Sequence, residues 1–108
     1  MSVIDFNHRT IKYYDSMRGT NTPVLNGLRD YLQEESLNKR NVPFDTSDWT
    51  MECVDDCPEQ GNGYDCGVFC CQVAEYIARG EPLTFTQQDM PRLRQQMRRE
   101  ITKGELEN

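Results

Sequence analysis

Gln60, Gly61, Asn62, Gly63, Tyr64, Asp65, Cys66 and Gly67 form a glycine-laden loop that delivers one cysteine to the start of an apolar run. A cysteine at a helix N-terminus has its thiolate stabilised by free N–H groups and by the helix dipole, which lowers its pKa below the ordinary value of about 8.5. Gly63 and Gly67 let the backbone turn sharply and leave the sulfur unshielded. Taken alone, the pattern fits two readings: a nucleophilic cysteine, or a small buried apolar residue, which is what most free cysteines are. Cys70 and Cys71 fall inside the apolar run and are expected to be packed away without chemistry. Cys53 and Cys57 raise the question of a metal. A structural zinc needs four convergent ligands, and an adjacent cysteine pair within one helix plus a single histidine does not furnish them, so neither metal nor cofactor is expected. A cysteine nucleophile also needs an imidazole base, a carboxylate to orient that base, and donors for the oxyanion.

The elements that must position these residues follow from periodicity. Ser2 to Phe6 alternates small and apolar side chains and Thr10 to Ser16 is rich in Ile and Tyr, so the two read as a hairpin closed by Asn7, His8 and Arg9. Asn21 and Thr22 offer cap oxygens, Pro23 suits a first helical turn, and Val24, Leu25, Leu28, Tyr31 and Leu32 recur at helical spacing to about Leu37. A polar connection from Asn38 to Asp48 precedes a short strand from Trp49 to Val54. Turn formers then fill Asp55 to Asp65. Val68, Phe69, Val73, Ala74, Tyr76 and Ile77 describe an apolar helix, stopped by Gly80, that belongs in a core. A last helix from about Gln87 to Lys103 carries Met90, Leu93, Met97 and Ile101 on one stripe. Its basic residues, Arg92, Arg94, Arg98, Arg99 and Lys103, read as a solvated face.

With 108 residues and a mean hydropathy of -0.81, the chain has room for one domain. No run approaches the roughly 18 apolar residues of a bilayer span, and Met1 to Asp5 lacks the features of a signal peptide, so a soluble, non-secreted chain without a membrane partner is expected. An odd number of cysteines, five, fits free thiols in a reducing compartment. The net charge of -6 is concentrated in residues 41–81, where nine acids face Arg79 alone, which argues against nucleic acid as a partner.

Several segments together are recognisable: Tyr13, Tyr14, Asp15, Ser16, Met17; then Phe44, Asp45, Thr46; then Asn62 through Phe69; then Phe85, Thr86, Gln87 and Met90, Pro91. In order and spacing they closely resemble the SUMO-specific cysteine proteases of the Ulp/SENP family, over nearly the whole chain. By that resemblance Cys66 corresponds to the nucleophile, Asp15 to the carboxylate that orients the catalytic histidine, and Gln60 to the oxyanion-hole side chain. A glutamine amide suits that task because it donates to an oxyanion without joining the proton transfer. The resemblance further implies cleavage after the C-terminal diglycine of SUMO, in maturation or deconjugation, with SUMO or SUMO conjugates as partners and the nucleus, with the cytoplasm as the alternative, as the compartment.

The family's histidine, followed by a tryptophan, lies just upstream of the strand matching Ser2 to Phe6. This chain is therefore expected to be the C-terminal portion of a protease domain: a papain-like α+β fold, incomplete, and inactive by itself. His8, the single histidine, does not substitute. If Phe6 faces Thr10, Asp15 sits at the open end of the hairpin and His8 at the closed end, roughly 23 Å away at about 3.3 Å per residue. A residue shortly before Met1 would instead continue the first strand beside Asp15. The rival expectations are a non-catalytic module that binds SUMO or a related modifier, and a protease for another modifier such as NEDD8.

Overall fold

The computed structural model describes residues 1–107, in two compact units, Met1–Asp56 and the chain from Cys57 onward. The α+β class read from the sequence is the one observed. Among the described residues no helix is long and apolar enough to cross a membrane.

In the first unit, β1 (Ser2–Asp5) and β2 (Thr10–Tyr13) pair antiparallel, with Ser2 opposite Tyr13 and Asp5 opposite Thr10. The register is thus shifted by one from the expected Phe6 opposite Thr10, the turn is one residue longer, and the second strand ends at Tyr13, short of the expected Ser16. The cause is local: the Asp5 carboxylate accepts the N–H groups of Asn7 (3.0 Å) and His8 (3.1 Å), which starts the turn early, and Arg9 closes it in the left-handed region (φ 56°). Phe6 leaves the ladder for an aromatic cluster, its ring 6.1 Å from Phe44 and 5.6 Å from Trp49 in edge-to-face contact. β3 (Thr50–Cys53) adds parallel to β2, Thr10 opposite Thr50, giving the sheet order β1-β2-β3.

Helix α1 (Thr22–Arg40) packs on β2 and β3, and Ile11 and Leu25 are buried in this unit. The Asn21 side chain caps it by accepting the Val24 N–H at 3.3 Å. It outruns the expected end near Leu37 by most of a turn. Lys39 and Arg40 suit the negative end of the helix, and the stop comes where Asn41 turns left-handed (φ 59°) and donates its N–H to the Leu37 carbonyl at 3.0 Å.

In the second unit, α2 (Cys66–Arg79) packs against α3 (Met90–Lys103). Gly80 and Gly104 close the two helices at φ 74° and 78°, where a side chain would be strained. The expected start of the last helix at Gln87 is a 3-10 turn, Gln87–Asp89, held by a capping box between Thr86 and Asp89. Val68, Phe69, Val73, Phe85, Met90 and Leu93 form the core, with the Phe85 ring 5.7 Å from Phe69 and 5.1 Å from Tyr76.

Helix α2 is not buried all round. Asp65, Val68, Phe69, Gln72 and Val73 define the covered stripe, and at about 100° per residue Cys70 and Cys71 fall on the opposite side. Both are exposed, which corrects the expectation that they are packed away. Cys57, preceding the loop, is the buried cysteine.

Candidate active site

The loop ahead of α2 carries no periodicity and is held by side chains. Asn62 organises its tip: its Oδ1 accepts the N–H groups of Tyr64 (3.0 Å) and Asp65 (2.9 Å), while its Nδ2 donates to Asp65 Oδ2 at 2.7 Å. Gln60 is buried and its Nε2 donates to the Asn62 carbonyl at 2.5 Å, closing the loop from the other side. Gln87 spans from the 3-10 turn. Its Oε1 accepts the Gly61 N–H at 2.8 Å and its Nε2 donates to Asp65 Oδ2 at 2.9 Å. A Cβ at position 61 would lie 3.3 Å from the Gln87 Cγ, so glycine is what lets this amide approach the loop backbone.

Asp65 is the hub of this network. Its side chain is 5% exposed, its Oδ2 takes the Asn62 and Gln87 amides, and its Oδ1 takes the Arg94 guanidinium, with Nε at 2.9 Å and Nη2 at 2.5 Å. Hydrogen bonds from Asn62, then Gln87, then Arg94 hold its carboxyl down to a pKa of about 2, outweighing the cost of burial. Arg94 corrects the reading of the last helix as carrying only solvated cations. The sequence contained the signal: position 94 is one helical turn beyond Met90, on the edge of the same buried stripe.

Cys66 is the first residue of α2 and is exposed. The first N–H groups of any helix lack intrahelical partners, and Asp65, in the cap position, makes no side-chain bond to them because its carboxylate is turned to Asn62, Gln87 and Arg94. The sulfur therefore sits at the positive end of a 14-residue helix whose first-turn donors the Asp65 side chain leaves uncapped. Such an arrangement can stabilise a thiolate and offer N–H groups to an oxyanion. Gln60 stands at the opposite end of the same six-residue loop.

Asp15 lies in the first unit, directly after β2. Its Oδ1 accepts the Met17 N–H (2.9 Å), its Oδ2 the Gly19 N–H (3.0 Å), and its carbonyl the Arg18 N–H (2.8 Å). A Cβ at Gly19 would sit 2.6 Å from Oδ2, so the absence of a side chain there permits the wrap. A carboxylate has about four lone-pair sites, and two accepted bonds leave capacity for a further donor. The strand ladder places Asp15 at the open end of the hairpin: Tyr14 donates its N–H to the Met1 carbonyl at 2.7 Å, and the Met1 amine donates to the Tyr14 carbonyl at 2.8 Å. His8 is in the turn at the other end, its side chain 79% exposed and its Nδ1 2.8 Å from Asp5 Oδ2. That bond is the main reason the Asp5 carboxyl is held below its ordinary range. Among the described residues no cluster of three His, Cys, Asp or Glu side chains is arranged to hold a metal.

Comparison with known proteins is consistent across sequence and fold. The profile of the Ulp1 protease family, C-terminal catalytic domain, matches residues 1–106. A sentrin-specific protease of Caenorhabditis elegans is 44% identical over 106 residues, covering 98% of this chain and 15% of that protein. Human sentrin-specific protease 2 is 42% identical over 106 residues, covering 96% of this chain and 18% of that protein. The chain thus spans less than a fifth of these relatives. Among solved structures, the C-terminal Ulp1 protease domain in complex with SMT3, the yeast ortholog of SUMO, superposes with a TM-score of 0.71 at 35% identity, over 86% of this chain and 41% of that one.

Proposed function

This chain belongs to the Ulp1 protease family, C-terminal catalytic domain, and from that membership we propose that its 108 residues are the C-terminal portion of a papain-like thiol protease domain acting on SUMO. The observation that carries the reading is Cys66: an exposed residue opening α2, at a helix end that the Asp65 side chain leaves uncapped. The solved relative bound to SMT3 supports SUMO as the partner class. Membership also favours the nucleus as the place of action.

In this mechanism the Cys66 Sγ attacks the carbonyl carbon of the terminal glycine of the modifier. Gln60 Nε2 and the first-turn N–H groups of α2 receive the oxyanion, and collapse breaks the C–N bond to leave a thioester on Cys66. An imidazole takes the thiol proton and passes it to the departing amine, and water then releases the modifier as an acid. His8, bound to Asp5 in the hairpin turn, is not that imidazole. The family pattern assigns the base to a histidine upstream of the strand matching β1, and a residue continuing β1 past the Met1–Tyr14 pair would lie beside Asp15. Asp15 holds the ring in the productive tautomer.

The test is single-turnover cleavage of a SUMO precursor by three proteins: the 108-residue chain, a form extended upstream through that histidine, and the extended form with Cys66→Ser. Cleavage by the extended form alone is expected. Loss of a catalytic histidine costs about 10⁶ in turnover in a serine-protease precedent, and a cysteine suffers less because part of it is thiolate at neutral pH. Robust cleavage by the 108-residue chain would overturn the exclusion of His8. An inactive extended form that still binds SUMO would replace the protease with a binding module.

A further inference from the structure

Asp65 occupies the cap position of α2, and an aspartate there ordinarily accepts the N–H of the second or third helical residue, here Gly67 or Val68. It does not. Its Oδ2 is taken by the Asn62 and Gln87 amides, and its Oδ1 by two nitrogens of Arg94, 29 residues further along the chain. Of these donors Arg94 alone carries a charge and alone comes from α3. A carboxylate released from this grip has a closer attraction available, because the uncapped first turn of α2 is an anion site immediately beside it. Once there, it would occupy donors that an oxyanion needs and set a negative charge next to the Cys66 sulfur.

We propose that Arg94 is a positioning residue for the Cys66 nucleophile: by holding Asp65 from α3 it keeps that carboxylate off the first turn of α2, reserving the helix end for the thiolate and the oxyanion. Arg94 acts through Asp65 and not on the substrate. The catalytic consequence rests on the thiol-protease reading above, whereas the effect on the sulfur stands without it.

The test uses the complete catalytic domain. Arg94→Met keeps the apolar stem and removes the charge. Its Cys66 is expected to react with iodoacetamide about tenfold more slowly at neutral pH, the scale of one lost helix-end interaction. In SUMO-precursor cleavage kcat falls roughly 10- to 100-fold while KM stays within about threefold, because the donors lost serve the transition state. Arg94→Lys, which keeps the charge but not the fork, retains an intermediate rate. Adding Asp65→Asn to Arg94→Met removes the charge that would migrate, so the alkylation rate recovers to within about threefold of the parent while the thermal midpoint does not recover. A merely structural pair would instead make thiol reactivity follow the thermal midpoint through every variant. Should Arg94→Met not fold, Arg94→Gln supports the same comparison. An unchanged alkylation rate in the folded single variant, or no recovery in the double variant, overturns the proposal. Alkylation that follows the expected order in a domain that cleaves no SUMO precursor would overturn the protease reading and leave the role of Arg94 standing.

Discussion

A buried carboxylate is costly unless every oxygen is satisfied, and Asp65 meets that condition with two amides and a guanidinium. Hydrogen bonds from Asn62 foremost keep its pKa near 2 in the folded chain, below the ordinary 3.8. The sign of the linkage follows: the native state favours the ionised form, so the stabilisation is fully present above about pH 4 and is lost as pH falls through about 2. Urea midpoints measured between pH 5 and 2 are expected to drop more steeply for the parent than for Asp65→Asn. The comparison is needed because Asp5, Asp45 and Glu107 are also lowered, by His8, Ser47 and Arg99 respectively. At the same scale, three thiols on α2 are exposed, Cys66, Cys70 and Cys71, but only Cys66 lies in the first turn. Exposure alone therefore predicts similar labelling, whereas the helix end predicts that Cys66 reacts first. Peptide mapping after brief iodoacetamide treatment separates the two, and equal labelling of the three would remove the argument from the dipole.

Helix α2 is held by an aromatic contact that its own periodicity only half specifies. Phe69 and Tyr76 lie on the helix, and Phe85 reaches both from the segment after Gly80, with centroids 5.7 and 5.1 Å away. Phe85 is 2% exposed, so truncation leaves a cavity into which the surroundings relax only partially. In the extended form proposed above, Phe85→Ala is expected to cost about 3–5 kcal/mol by urea denaturation. It should also loosen the loop ahead of α2, because Gln87, which joins Gly61 to Asp65, begins the turn two residues later. A loss below about 1 kcal/mol would mean that the aromatic contacts do not hold the helix.

At the scale of the molecule, an apolar helix with one side in solvent is a liability. Cys70, Cys71, Ala74 and Ala78 are exposed along α2, and Ile101 and Leu106 are exposed in and after α3. Monomeric soluble proteins rarely leave contiguous apolar patches of more than a few hundred Å² uncovered. The 108-residue chain by itself is expected to self-associate, visible in sedimentation velocity as a weight-average mass that rises with concentration, and to unfold over a broad thermal range. A sharp, concentration-independent transition from a monomer would contradict this. The net charge of -6 favours solubility but does not cover an apolar face.

Local signals carried much of this protein. Apolar residues at helical spacing, Pro23 in the first turn of α1, Gly80 and Gly104 beyond α2 and α3, and the glycine-rich approach to Cys66 all act between near neighbours in the chain, so one sequence suffices to read them. Cys66 was legible as a candidate on that basis. Asp15 and Gln60 enter as candidates only through resemblance, since a carboxylate after a strand and an amide in a loop have no distinctive local pattern. Only the fold could decide the rest. The hairpin register turned on which N–H groups Asp5 would take, and β3 joined β2 in parallel across some 40 residues. Cys70 and Cys71 lie in the same apolar run as Val68 and Phe69, and packing chose the side of α2 to cover. Asp65 and Arg94 meet because α2 and α3 pack together, and a charge pair between separate helices leaves no periodic trace in either.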